Sequence, residues 1–426
     1  MRLLKDRFPV WPVLLLATAL ARPAFPAQQL DTTQFIVVGE GLAAGMADFQ
    51  LRDVYQNASF PAVMANAFQT AFPLPILQSP GIGGGTPGFP VLPPRLPGLL
   101  QGPVRNDFPP NLFVFNLSVP GFTLSDSLNE VPTVPLIQSR EPEHTLINFI
   151  LGYPALILGA NLPLWTQVQY AVEMNPTLVV VELGYFDVLQ PAATNDPAAL
   201  PSVSSFSSQF STLLSQLNAS SPQIIVMTVP NPFDTAYFTP VANASRLLGA
   251  PPSAITSLFG VGPNDYLTPN GLMVAGSAIA SNNPQPAPLS KTQYAVVSAA
   301  TATAVEASVT ALNNAIQSAA QQVGPNVIVY DLNAFFSSVR QNGLAAGTTT
   351  LTADYLGGFY SLDGYYPGQT GQAAIANNML QLLNSTYGKN FPTVNLATVA
   401  SGDPVLGFTP TAVKKPASIR SREAGR

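Results

Sequence analysis

Cysteine is absent and histidine occurs once, at His144. No disulfide, thiolate metal site or lipid-modified cysteine can form, and a multi-histidine zinc centre is excluded within one chain. Charge is scarce too: 9% of the 426 residues are charged, against 47% hydrophobic. The few charges are unevenly placed. Between residues 23 and 413 there are 8 Lys and Arg against 20 Asp and Glu, a net of −12, while the basic residues gather in the first 22 residues and from Lys414 onward. An acidic body argues against a nucleic-acid partner. After the first 22 residues no apolar run is long enough for a transmembrane helix. No cofactor or metal is expected.

The 43 Pro and 31 Gly indicate long ordered loops around an ample apolar core. The N-terminus reads as an export signal. Arg2, Lys5 and Arg7 precede an apolar stretch, Val10 to Leu20, and Ala19-Leu20-Ala21 fits a small-x-small cleavage site. The expectation is a signal peptide over 1–21 and a periplasmic or extracellular mature protein. The body, 30–390, is expected to be one domain with Pro/Gly-rich insertions at 73–110 and 231–290, the second irregular, followed by a flexible basic tail over 400–426.

The chain centres on Phe35-Ile-Val-Val-Gly-Glu-Gly-Leu42. A β-branched run stops at Gly39 and gives way to small, helix-tolerant residues, so a buried strand, a tight turn and a helix start are predicted. Further strands are predicted at Leu112–Leu117, Thr177–Leu183, Ile224–Val229 and Asn326–Leu332. Helices are predicted at Ser59–Phe72, Trp165–Met174, Phe206–Leu217, Thr292–Val323 and Thr370–Leu383. Strands alternating with helices indicate an α/β fold with a five-stranded parallel sheet.

The first block resembles that of the GDSL, or SGNH, esterase and lipase family, in which the strand is followed by Gly-Asp-Ser-Leu with Ser as nucleophile. Here Glu40 and Gly41 stand in place of Asp and Ser. Ser118-Val-Pro-Gly121 resembles the second block, and Gly121 occupies the position whose N–H donates to the oxyanion. Gly184-Tyr-Phe-Asp187 resembles the third, Gly-x-Asn-Asp, with Phe186 replacing the oxyanion-binding Asn. Asp363-Gly-Tyr-Tyr-Pro367 resembles the last, Asp-x-x-His-Pro, with Asp363 retained and Tyr366 in place of the general base. The resemblance spans roughly 34–387. It implies a three-layer α/β/α sandwich of flavodoxin-like topology.

What the resemblance implies about chemistry is mostly loss. Acyl transfer of this kind needs a hydroxyl nucleophile, a base and a group that orients the base. Gly41 carries no hydroxyl, and tyrosine, with an ordinary pKa of about 10, is a poor base at neutral pH. Of the catalytic positions only Asp363 is kept. The expectation is an inactive homologue serving as a binding or structural module. The alternatives are an ester hydrolase with a recruited hydroxyl such as Ser118 or Ser361, or a carboxylate enzyme using Glu40, Asp187 and Asp363. Gly41 and Gly121 N–H, with Tyr185, Phe186, Tyr365 and Tyr366, either line a site for a small acyl or carbohydrate ligand or pack a vacated cavity. His144, within Glu-Pro-Glu-His, reads as a surface residue among carboxylates.

Overall fold

The structure is a computed structural model, and it describes residues 29–77, 82–83, 113–138, 142–158, 163–281, 283 and 285–408. The expected signal peptide, and most of the expected insertion at 73–110, lie outside the described residues.

Four strands form one parallel sheet: β1 (Phe35–Gly39), β2 (Leu178–Glu182), β3 (Gln223–Met227) and β4 (Val327–Tyr330), in the spatial order β1-β2-β3-β4. Every residue of the first three strands is buried. That explains why their sequences run apolar without alternating, as strands covered on both faces do. The register pairs Val37 with Val180 and Val179 with Ile224.

The strand expected at 112–117 is reduced to one parallel bridge between Val37 and Asn116. The backbone nevertheless runs beside β1: Val37 N–H donates to Phe115 O at 2.9 Å, and Leu117 N–H to Val37 O at 2.9 Å. The Asn116 side chain also anchors this segment. Its amide donates to Ala43 O at 2.8 Å and its oxygen accepts Ser118 N–H at 3.2 Å.

Helices follow the strands as the periodicity predicts, except that the helix expected from Thr292 starts at Ala299, after the short strand Val296–Val297 and the capping Ser298. The Gln167–Glu173 helix opens with a capping box between Thr166 and Gln169. The Ala299–Val323 helix packs on the Val203–Leu217 helix, and the Gln369–Tyr387 helix packs on Phe60–Phe68. Asn313 ties the longest of these helices to the end of β3: it accepts Val229 N–H at 2.7 Å and donates to Val229 O at 2.9 Å, in a buried setting. Asn313→Leu leaves both backbone groups without a partner. Its unfolding free energy should fall by about 1–3 kcal/mol in a denaturant titration.

Two expectations are corrected. The segment 231–290 is built, not irregular. Three helices, Val241–Leu248, Pro252–Phe259 and Pro269–Ala280, surround a small antiparallel sheet of Thr239–Pro240, Tyr266–Leu267 and Val296–Val297. Pro240, Pro251, Pro252 and Pro269 stand at or beside helix starts, where proline is tolerated, and Gly249 and Gly260 close two of the helices in the left-handed conformation. Residues 400–408, expected to open a flexible tail, are instead held in the fold. Residues Leu396–Gly402 form a helix, Asp403 accepts both the N–H and the hydroxyl of Thr370 at 2.8 Å, and Val405 is buried. No helix among the described residues is long and apolar enough to cross a membrane.

Candidate functional site

β1 ends at Gly39 and turns at once into the short helix Gly41–Ala44. Gly45 closes it with φ +80°, and a Cβ there would stand 2.7 Å from Tyr55 O, so only glycine fits. Glu40 caps the helix. Its Oε2 accepts Gly41 N–H at 2.6 Å and its Oε1 accepts Leu42 N–H at 3.2 Å. Tyr366 O–H donates to the same Oε2. Glu40 is fully buried.

The residues named from the sequence come together at the carboxyl ends of β1 and β2. Tyr366 lies directly against Gly41: a Cβ on Gly41 would stand 2.7 Å from Tyr366 Cε2, and closer still to Cζ and the hydroxyl oxygen. The Tyr185 and Tyr366 rings meet edge to face at 6.2 Å, and Tyr365 and Tyr366 at 4.7 Å. Tyr185 O–H donates to Tyr365 O at 3.2 Å. The Phe186 ring covers Gly121, whose φ is +85°; a Cβ there would touch it at 3.9 Å. Tyr185, Phe186, Tyr365 and Tyr366 are all buried. The aromatics therefore fill the space beside Gly41 and Gly121. Gly41 N–H already serves Glu40.

The acids are fixed by backbone amides. Asp363 Oδ1 accepts Tyr365 N–H at 3.0 Å and Tyr366 N–H at 2.9 Å, holding the turn that delivers Tyr366. Asp187 Oδ2 accepts Leu124 N–H at 2.9 Å. Burial pushes Asp363 up to about 7, against the hydrogen bonds it accepts. It pushes partly buried Asp187 upward as well. Neither hydroxyl considered as a substitute nucleophile is open. Ser118 is 1% exposed and its Oγ has no hydrogen-bond partner; Ser361 is 3% exposed and accepts Asp48 N–H at 2.9 Å. His144 stands apart from this cluster, half-buried, 3.7 Å from Glu130 Oε2.

Glu182 was given no role from sequence. It lies at the end of β2, and its Oε2 accepts Glu40 N–H and Ala43 N–H, each at 3.2 Å. Burial, and then the neighbouring Glu40 carboxyl, push its own carboxyl well above the usual range. A lone glutamate closing an otherwise apolar strand, just before a glycine, was the available signal. Gln167 is a second such residue: its buried amide donates to Gly39 O at 2.7 Å and Leu117 O at 2.8 Å, joining the ends of adjacent backbone segments.

A surface cavity of about 630 Å³ lies elsewhere, between the end of the Ala299–Val323 helix and β4, and contains none of these residues. No group of three or more His, Cys, Asp or Glu among the described residues is placed to hold a metal ion. Searches for relatives give no identification: no protein-family model matches the chain, and no curated protein matches it.

Proposed function

We propose that this chain is an exported, catalytically degenerate SGNH/GDSL-like protein, a hydrolase scaffold whose cleft is plugged and which serves as a structural or partner-binding module. One observation carries the reading: the Tyr366 ring and hydroxyl occupy the space a side chain at position 41 would need. In the family arrangement those are the base and nucleophile positions, so the two departures from the motif are spatially one. The order of backbone segments also favours it. The 115–119 segment runs beside β1, then come β2, β3 and β4, which supports a five-stranded, three-layer, flavodoxin-like sandwich. On this reading the Pro-rich loops, rather than the cleft, offer the interaction surface.

The purified mature protein should hydrolyse p-nitrophenyl acetate no faster than a surface-mutant control, and a fluorophosphonate should label no serine. The reasons are the missing hydroxyl at position 41 and the burial of Ser118 and Ser361, which a substrate cannot reach. Stoichiometric labelling of a single serine, with turnover, would refute the plugged-cleft reading.

A further inference from the structure

Glu40 and Glu182 meet at the ends of adjacent strands, β1 and β2, and differ in how their oxygens are used. Glu40 is served on both oxygens, by two backbone N–H groups and the Tyr366 hydroxyl. Burial raises the Glu40 carboxyl to about 7, and these three donors work against that rise by favouring its charged form. Glu182 receives its two backbone N–H groups on Oε2 alone, so neither of them competes with a proton on Oε1. The groups that face the pair from the surrounding elements are Tyr185 and Asp187 on the helix after β2, and Asp363, Tyr365 and Tyr366 on the loop before the Gln369–Tyr387 helix. All are acids or phenols, and no cation is among the main influences on either carboxyl. Two neighbouring buried charges without a cation are far more costly than one.

We propose that the pair holds one negative charge and one proton, the charge on Glu40 and the proton on Glu182, and that this proton keeps Tyr366 seated against Gly41, so that the cleft is locked in acid and loosens as the proton is lost. The step is a simple ionisation. Glu182 gives its proton to solvent base, two adjacent carboxylates remain, and their repulsion acts on the capping turn that the Tyr366 hydroxyl shares. The lock depends only on the observed packing of the cleft and stands whether or not the chain is related to hydrolases.

The first experiment follows backbone exchange at Gly41 and Leu42, corrected for intrinsic base catalysis, from pH 5.5 to 8.5. In the wild type the opening constant should rise with pH, approaching about tenfold per unit, the limit for one linked proton. Glu182→Gln keeps an oxygen for the two N–H groups and cannot ionise, so its corrected exchange should rise distinctly less steeply than in the wild type, the remainder coming from Asp363, which is raised to about 7 and holds the Tyr366 turn. The same rise in Glu182→Gln as in the wild type would overturn the lock. A second measurement needs no variant. In protein with side-chain 13C-labelled glutamate, one carboxyl should still be un-ionised at pH 8, where ordinary glutamates are charged and Glu40, raised by burial to about 7, has also ionised. Finding none, or two, would refute the single shared proton. Neither readout involves ester hydrolysis, so serine labelling can fail or succeed independently of the lock.

Discussion

Thermal and denaturant stability should peak in mild acid, near pH 4–5, and fall steadily as the pH rises through neutrality. Most proteins are weakened on the acid side because their native carboxylates are paired with cations. Here the carboxyls at the heart of the cleft are buried without that pairing. Asp363 is raised to about 7, and Glu182 well above the ordinary carboxylate range, both chiefly by burial. Between the unfolded values near 4 and these raised values, the native state binds more protons than the unfolded state. The sign follows: unfolding free energy decreases with increasing pH across that window. A shift from about 4 to about 7 at one group is worth on the order of 4 kcal/mol. The acid side offers little opposing force. With every carboxyl neutral, residues 23–413 hold only 8 Lys and Arg and one His, so like-charge repulsion stays weak. At pH 7 the same span carries its net −12, and repulsion adds to the loss. Calorimetric scans from pH 3 to 9 decide the matter. A stability maximum at or above pH 7 would mean that these carboxyls are ionised in the native protein.

The sheet was legible in the sequence because burial on both faces writes each strand as an unbroken β-branched run. Phe35–Gly39, Leu178–Glu182, Gln223–Met227 and Val327–Tyr330 all fall within two residues of where their composition places them. The 115–119 segment was less legible. Its backbone pairing with β1 is real, but Asn116 diverts side-chain bonds to Ala43 and Ser118, and no composition rule anticipates that. The 231–290 insertion was misread because Pro240, Pro251, Pro252 and Pro269 look like breakers when their positions relative to a helix start are unknown. At the site, the family resemblance of the four blocks singled out Gly41, Gly121, Tyr185, Phe186, Asp363 and Tyr366, and the folded chain gathers them in one buried cluster. It did not reveal that Glu40 takes the Tyr366 hydroxyl, or that Glu182 stands beside it. Those contacts join residues 142 and 326 positions apart, beyond the reach of any local pattern.

Gly41→Ser should be among the most damaging single changes in the chain, and Tyr366→His should relieve it. Any Cβ at position 41 enters the Tyr366 ring, whose Cε2 would stand 2.7 Å away. The ring cannot retreat easily, because Tyr185 and Tyr365 pack against it and it is 1% exposed. Overpacking of this kind costs about 1–3 kcal/mol, more where nothing yields. Tyr366→His alone is destabilising for a different reason. It empties volume around a buried ring and disturbs a donor to Glu40, a loss of about 1–3 kcal/mol for a charged acceptor left short. In the double variant the smaller imidazole vacates the space the serine needs, and an imidazole N–H is available to Glu40. The two losses should therefore not add. A coupling of about 0.5–3 kcal/mol in favour of the double variant is the size expected for residues in direct contact, read from guanidinium unfolding of all four proteins at pH 5, where the native state is firmest. Simple additivity would show that positions 41 and 366 do not compete for one space. Gly121→Ser is the matched control: its added atoms meet only the edge of Phe186 at 3.9 Å, its cost comes from the positive φ of that residue, and Tyr366→His should give it no relief.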